Sequence, residues 1–126
     1  MDLLQLLPSD YFELTLKHPV SGDELDAKIK VYGKDSSVFQ NAIKARAKAQ
    51  IARKSKDIDL ESNEKDSIEL LADCTKDWQG ISEGGKQIEC TRQNAIDIYS
   101  KYKWIREQVD IAIGDRANFF INAESR

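Results

Sequence analysis

Residues 104–121, with the sequence WIREQVDIAIGDRANFFI, decide how the rest of the chain is organised. Their apolar side chains recur at intervals of three and four residues, which places them on one stripe of an α-helix. The stripe consists of Ile105, Val109, Ala112, Ile113, Ala117 and Phe120. Charged side chains, among them Arg106, Glu107 and Asp110, fall largely off it. The spacing predicts an amphipathic terminal helix docked on the core.

Length and composition bound the fold class. At 126 residues and 14.3 kDa the chain fits one domain, residues 1–126, large enough to bury most of its apolar surface. Its 40% hydrophobic and 33% charged residues, with two prolines and six glycines, are typical of a helix-rich globular protein. A net charge of −3 and a pI near 5.2 argue against a general nucleic-acid binder.

After a leader at residues 1–10, residues 11–33 show the period-two alternation of two strands with one apolar face each. The apolar positions are Phe12, Leu14 and Leu16 in the first segment and Leu25, Ala27, Ile29 and Val31 in the second. Residues 18–23 between them are rich in turn formers. We expect an antiparallel β-hairpin that needs helices on its apolar face.

Residues 34–121 are predicted to be mainly helical, in a bundle of about four helices, which makes the chain α+β. Asp35 or Ser36 can cap a helix from about residue 36 to residue 55. This helix carries two apolar faces, and such a helix is usually central or lies at a subunit contact. One face is a ridge of Phe39, Ile43, Ala47 and Ile51, and the other consists of Ala42, Ala45, Ala49 and Ala52.

A polar linker at residues 55–63 precedes a second predicted helix, which Ser62 or Asn63 can cap. This helix is predicted to end at Gly80, which adopts a left-handed conformation. Its core-facing side consists of Ile68, Leu71, Ala72, Thr75 and Trp78, with Trp78 as a core anchor. Residues 81–90 are expected to form a small hairpin or tight turn. Thr91 is expected to cap a further helix, which bends near Lys103 into the terminal one.

Four leucines near the start of the chain do not belong to any of these periodic patterns. They are Leu3, Leu4, Leu6 and Leu7. Asp2 stands where an export signal would carry basic residues, and Pro8 ends the run after about one turn, so export is not indicated. No stretch approaches the roughly 20 apolar residues of a membrane span. The leucines either form a frayed leader or cover an edge of the core, and if exposed they are a candidate partner contact.

Charge is unevenly distributed along the chain. Residues 34–56 carry seven basic residues against one acidic, a net +6, whereas residues 57–83 carry nine acidic against two basic, a net −7. The basic segment is either a site for nucleic acid or an acidic partner, or a solvated helix beside its acidic neighbour. The second alternative is favoured because Arg46 lies half a turn from Lys44 and Lys48. No aromatic residues interleave with these charges for stacking on bases.

The sequence indicates no catalytic, cofactor or metal site. Cys74 and Cys90 do not form a Cys-x-x-Cys pair and His18 lies far from both, so we expect no metal ligation and no disulfide. The simplest interpretation is that Cys74 and Cys90 are small, partly buried side chains. Gly84 and Gly85 are too few for a phosphate-binding loop. No nucleophile or general base has a suitable partner, so enzymatic activity is not expected.

The terminal stretch also carries a resemblance. Residues 104–109, WIREQV, followed by residues 115–119, DRANF, resemble the C-terminal signature of tail assembly chaperones of long-tailed bacteriophages. The likeness extends back through residues 94–95, residues 98–99 and Trp78 to the strand-rich start, but it is dense only at the end. One departure is Lys103, where the family pattern has a proline before the tryptophan.

The resemblance implies an assembly factor of the host cytoplasm that is absent from the mature virion. In that family the protein binds the tape measure protein, keeps it soluble and helps to recruit subunits of the major tail tube protein. The family often makes a longer form by ribosomal frameshifting, and this sequence would be the short form. Many copies of a small acidic protein with apolar grooves are suited to covering the apolar helix faces of a tape measure protein, with or without self-association.

Candidate partner-binding residues follow from this interpretation. They are the leucines Leu3, Leu4, Leu6 and Leu7 and the alanine face Ala42, Ala45, Ala49 and Ala52. Asp115 and Arg116 are expected to form either an ion pair or capping network, or a partner-recognition patch. Two alternative functions remain open: a minor structural or tail-completion protein of the virion, and a small regulator that binds nucleic acid through residues 44–56.

Overall fold

The computed structural model describes residues 1–53 and 60–120. The strands are β1 (Tyr11–Lys17), β2 (Glu24–Tyr32), β3 (Thr75–Gln79), β4 (Ser82–Glu83) and β5 (Lys86–Gln87). The helices are α1 (Ser37–Arg53), α2 (Leu60–Asp73), α3 (Arg92–Lys101) and α4 (Lys103–Gly114). Short 3₁₀ turns occur at Leu3–Leu6 and Arg116–Phe119. The predicted α+β fold, an N-terminal antiparallel hairpin followed by four helices within these ranges, is confirmed.

The hairpin of β1 and β2 forms because its alternate side chains are apolar and become buried together on one face. Leu14 lies opposite Ile29 in an antiparallel register, with an irregularity between Thr15 and Lys17. The inward face of the hairpin is the part of the sheet that enters the core, with Leu16, Ala27, Ile29 and Val31 all buried. His18 organises the connecting loop, since its Nδ1 accepts hydrogen bonds from the amides of Val20 and Ser21.

The predicted continuation of the second helix to Gly80 is wrong. Helix α2 ends at Asp73, and Thr75–Gln79 is strand β3, which pairs with β2 to give a sheet of order β1-β2-β3. Trp78 is the expected core anchor, and its indole Nε1 donates to the carbonyl of Ile88 at 2.8 Å. Gly80 is left-handed as expected, with φ of +78°, but it follows a strand.

Helix α1 is not central: it packs against α2 at the outside of the body. The predicted ridge lies largely in solvent, with Ile43 40% and Ile51 80% exposed. Ser36 is the cap, because its Oγ accepts from the amide of Phe39 at 3.2 Å and donates to the carbonyl of Gly33. Most of the predicted linker falls on residues 54–59, outside the described residues, and α2 already begins at Leu60.

Helices α3 and α4 follow the prediction closely. Thr91 caps α3 by accepting from the amide of Asn94 at 3.1 Å, and Tyr102 separates the two helices. The buried residues of α4 are the predicted Ile105, Val109, Ala112 and Ile113. The expected extension of the helix through residue 121 is wrong, since α4 ends at Gly114 and a 3₁₀ turn follows. In that turn Phe119 is buried and Ala117 is exposed.

The predicted turn at residues 81–90 is a two-stranded hairpin of β4 and β5. Its turn residues, Gly84 and Gly85, both have positive φ. Ile81 is buried and Ile88 is partly buried against the core. Tyr102 ties this hairpin to the helices because its hydroxyl donates to Glu83 at 2.6 Å.

Candidate functional site

The leucine segment, Leu3–Leu7, projects from the body. Its four leucine side chains are 49–74% exposed, so they do not cover the core. Asp2 shapes the segment by accepting from the amide of Leu4 at 3.0 Å. The amide of Ser9 then donates to the carbonyl of Phe119 at 2.7 Å. A short apolar turn is thus attached to the terminal 3₁₀ turn while its leucines face solvent, the position in which we expected them to be available to a partner.

The alanine face of α1 does not form one surface. Ala42 is buried, whereas Ala45 and Ala49 are exposed, and the side chain of Ala52 lies outside the described residues. The larger apolar side chains, Ile43 and Ile51, are exposed elsewhere on the same helix. The exposed surface of α1 is therefore mixed: it carries apolar side chains, of which the isoleucines are the largest, beside the exposed Lys44 and Lys48.

Asp115 and Arg116 are not paired with each other. Asp115 caps the terminal 3₁₀ turn by accepting from the amide of Ala117 at 3.1 Å. Arg116 donates two hydrogen bonds to Asp35, from Nε at 2.6 Å and from Nη2 at 3.0 Å. The hydrogen bond from Arg116 lowers the pKa of the Asp35 carboxyl below its ordinary value. Asp115 thus serves as a cap and Arg116 forms an ion pair, which is one of the two alternatives predicted from the sequence.

Arg46 shows what the uneven charge distribution does in the fold. Its guanidinium bonds Glu69 and Asp73 of α2, with Nη2 2.9 Å from Asp73 Oδ2. Asp73 also accepts from Nε of Arg92 at 2.7 Å, so one carboxylate joins three helices. The expectation that the basic segment lies near its acidic neighbour is confirmed at Arg46. The partly buried charges are compensated within the molecule.

A groove of about 610 Å³ lies between β1 and α4. Leu14 and Ala112 form part of its wall, and Ile111, 71% exposed, stands at its rim. Gln108 lines this groove and binds both backbone groups of Lys17. Lys17 N–H donates to Gln108 Oε1 at 2.9 Å, and Gln108 Nε2 donates to Lys17 O at 2.8 Å. Local sequence patterns do not predict this contact, because Gln108 lies 91 residues from Lys17.

The outer face of the β1-β2-β3 sheet carries a second cluster that the sequence analysis missed. Tyr11 and Tyr32 are directly opposite each other in the register of β1 and β2. The Nζ of Lys76 lies 5.3 Å from the ring centroid of Tyr11 and 5.7 Å from that of Tyr32. Lys30 Nζ lies 5.8 Å from the Tyr11 centroid on the same face. The alternation of β1 and β2 marks these residues as outward-facing, but only the pairing of β3 brings Lys76 to them.

Within residues 1–53 and 60–120, no group of three or more His, Cys, Asp or Glu side chains is placed to hold a metal ion. Over the same ranges, no helix has the length and apolar character needed to cross a membrane. The surfaces described above that a partner could contact are the leucine segment, the outer side of α1, the β1–α4 groove and the tyrosine–lysine cluster. Comparison of the chain with models of protein families, with curated proteins and with solved structures finds no match.

Proposed function

We propose that this chain is a tail assembly chaperone of a long-tailed bacteriophage. It binds the tape measure protein in the host cytoplasm, keeps it soluble and helps to recruit subunits of the major tail tube protein. The resemblance of residues 104–109 and 115–119 to that family is the starting point. In this chain the same residues close the core through Ile105, Val109 and Phe119, which leaves other surfaces free for a client.

The observation that carries the proposal is the exposure of two isoleucines on α1. Ile43 and Ile51 are exposed on a helix whose packing partner in the body is α2. Burying one such side chain fully against a partner is worth about 1.5–3 kcal/mol, so exposed isoleucines on one helix favour a complementary apolar helix face. A client helix that would otherwise aggregate meets that requirement.

The leucine segment supplies a second apolar contact. Its four leucines are exposed on a turn that is hydrogen-bonded to the body at Ser9, so they are presented at a fixed place. Asp115 and Arg116 are exposed too, but both already have internal partners, and we place them outside the client surface. Each bound copy of the chain adds its net charge of −3 to the complex, and this charge favours the solubility of the client.

Coexpression with the tape measure protein tests the proposal. A tape measure protein of a long-tailed bacteriophage is produced with and without the chain, and its soluble fraction is measured. We expect the chain to raise the soluble fraction and to copurify with the client. The double variant Ile43→Lys with Ile51→Lys is expected to lose most of this effect, because it places two charges in the proposed contact.

The matched control is Val20→Lys with Ile111→Lys, which adds the same charge at two exposed apolar residues away from α1. A tape measure protein that stays equally insoluble with and without the chain would refute the chaperone role. Purified tails separate this role from that of a minor structural or tail-completion protein, since a chaperone is absent from them.

A further inference from the structure

The three-stranded sheet has one face in the core and one face in solvent. The inward side chains Ile29, Val31 and Trp78 are buried, and helices α2 and α4 contact the sheet. On the opposite face the side chains of Tyr11, Lys30, Tyr32 and Lys76 are exposed or partly exposed. These four residues form the tyrosine–lysine cluster, in which Tyr32 is partly buried and also packs against the core.

The cluster holds two cations at a defined separation. The ammonium groups of Lys30 and Lys76 both lie within 6 Å of the Tyr11 ring centroid, so their nitrogens are no more than about 11 Å apart. The electron-rich ring faces attract these cations and limit the positions that the lysine side chains adopt. Ordering the two side chains in advance lowers the entropy lost when a partner binds them.

The cations of the cluster differ from Lys28, which lies on the same face. Lys28 lies 3.9 Å from Glu13, but within the described part of the chain neither Lys30 nor Lys76 has a carboxylate within the 4.0 Å of an ion pair. The chain as a whole carries a net charge of −3. Glu13 and Asp77 lie opposite Lys30 in the sheet register. Among the described residues, however, neither ammonium group of the cluster forms an ion pair with a carboxylate.

We propose that the tyrosine–lysine cluster binds an acidic segment of another polypeptide, with two carboxylates of the segment contacting Lys30 and Lys76. Carboxylates two residues apart on one face of an extended strand are separated by roughly 7 Å. Residues three or four apart on a helix lie about 5–6 Å from each other at their β-carbons. Either arrangement falls within the separation that the two ammonium groups allow. The tyrosines add the flat, amphipathic contact area that protein interfaces favour.

The same geometry disfavours single-stranded nucleic acid as the occupant. Bases bind to sheets by stacking on open aromatic faces, whereas Lys76 stands over both tyrosine rings of the cluster. This inference concerns a different face from α1 and is independent of the chaperone proposal.

Fluorescence anisotropy with the purified chain tests the inference. The probe is a short fluorescein-labelled peptide of alternating glutamate and serine, titrated with the chain at low and at physiological salt. We expect saturable binding at low salt that weakens as salt screens the charges. The double variant Lys30→Gln with Lys76→Gln is expected to weaken binding roughly tenfold, the change expected from losing two exposed ion pairs. Lys30→Arg with Lys76→Arg keeps both charges and is expected to retain binding.

The matched control is Lys44→Gln with Lys48→Gln, which removes the same charge from exposed lysines of α1. Equal weakening by the two glutamine variants would overturn the inference, because binding would then follow net charge alone. So would the absence of binding at low salt. An oligothymidylate of equal charge is titrated in parallel, and if it binds more tightly than the peptide and is lost in the same cluster variant, the occupant is nucleic acid and the inference is wrong.

Discussion

At the scale of single residues, Gln108 has the largest structural role that local sequence patterns do not reveal. Strand β1 is an edge of the sheet, and an unpaired edge is a template for strand addition. The Gln108 amide takes the place of a neighbouring strand at Lys17, with one hydrogen bond donated and one accepted. Gln108→Leu is expected to lower the free energy of unfolding by about 1–2 kcal/mol. It also leaves the edge open, so we expect more self-association.

Urea unfolding and size-exclusion chromatography check this prediction. Glu107→Leu places the same side chain at the neighbouring exposed position and is the control for added surface hydrophobicity. Gln108→Glu keeps the acceptor but loses the donor, so its stability is expected to lie between those of the native protein and Gln108→Leu. Equal stability and equal association of the two leucine variants would contradict the role assigned to Gln108.

Cys74 gives the chain a dependence on alkaline pH. Burial raises the pKa of its thiol from 9.0 to about 12, with a smaller contribution from the nearby Asp73. Because the folded pKa is the higher one, this contribution to stability is complete below about pH 9 and is lost as pH rises towards 12. We expect the unfolding free energy, measured in urea under reducing conditions, to fall over that range. Cys74→Ala is expected to start lower and fall less, and an unchanged fall would contradict the assignment.

Sequence reasoning at this scale succeeds where a residue's environment is set by its own element. Helical spacing alone predicts Ile105 and Val109 on one core-facing stripe, and both are buried. Trp78 is predictable as an anchor because large aromatic side chains favour burial. Gln108 was missed because its partner belongs to a strand at the other end of the chain. Arg116 has the same property, since Asp35 lies 81 residues away.

At the scale of elements, β3 is the main error of the sequence analysis. Thr75 and Trp78 continue the three-and-four spacing of Ile68, Leu71 and Ala72, so the local pattern favours a longer helix. A strand of five residues with one buried side chain has too few apolar positions to show a recognisable alternation of apolar and polar residues. The pairing of β3 with β2 decides the structure, and that pairing is not local. The α1 cap, the β4–β5 hairpin and the α3–α4 bend were predictable because local residues set them.

Gly80 tests how tightly β3 is held against β2. Its φ is +78°, and a Cβ added there would lie 2.4 Å from the carbonyl oxygen of Asp26. Gly80→Ala is therefore expected to cost more than about 2 kcal/mol of unfolding free energy, since backbone strain adds to a clash with main chain. Gly84→Ala is the control, because its φ is +56° and nothing lies within 4 Å. It is expected to cost about 1 kcal/mol. Similar losses in urea unfolding would contradict a close approach at Gly80.

At the scale of the whole molecule, the position of α1 separates a body from an attached helix. The sequence favoured a central position, or one at a subunit contact, because apolar residues occur on two faces of α1. Alanines are small enough to stand in solvent at little cost, so such a pattern does not fix which side faces the core. The structure attaches α1 through the Ser36 cap, the buried Ala42 and the Arg46 ion pairs with α2.

The attachment of α1 leads to a prediction about local stability. Arg46→Ala leaves the partly buried Glu69 without its cation and removes one of the two cations at Asp73, so α1 is expected to lose about 1–3 kcal/mol of its stability against opening. The body, whose core is formed by the sheet with α2, α3 and α4, is expected to keep its own stability. Hydrogen exchange measured by mass spectrometry then shows faster exchange in α1 and unchanged exchange in β2 and α4. Lys48→Ala, which removes the same charge from an exposed position of α1, is expected to leave both patterns unchanged. Faster exchange throughout the molecule in Arg46→Ala would mean that α1 and the body unfold together, and α1 could not then open independently of the body.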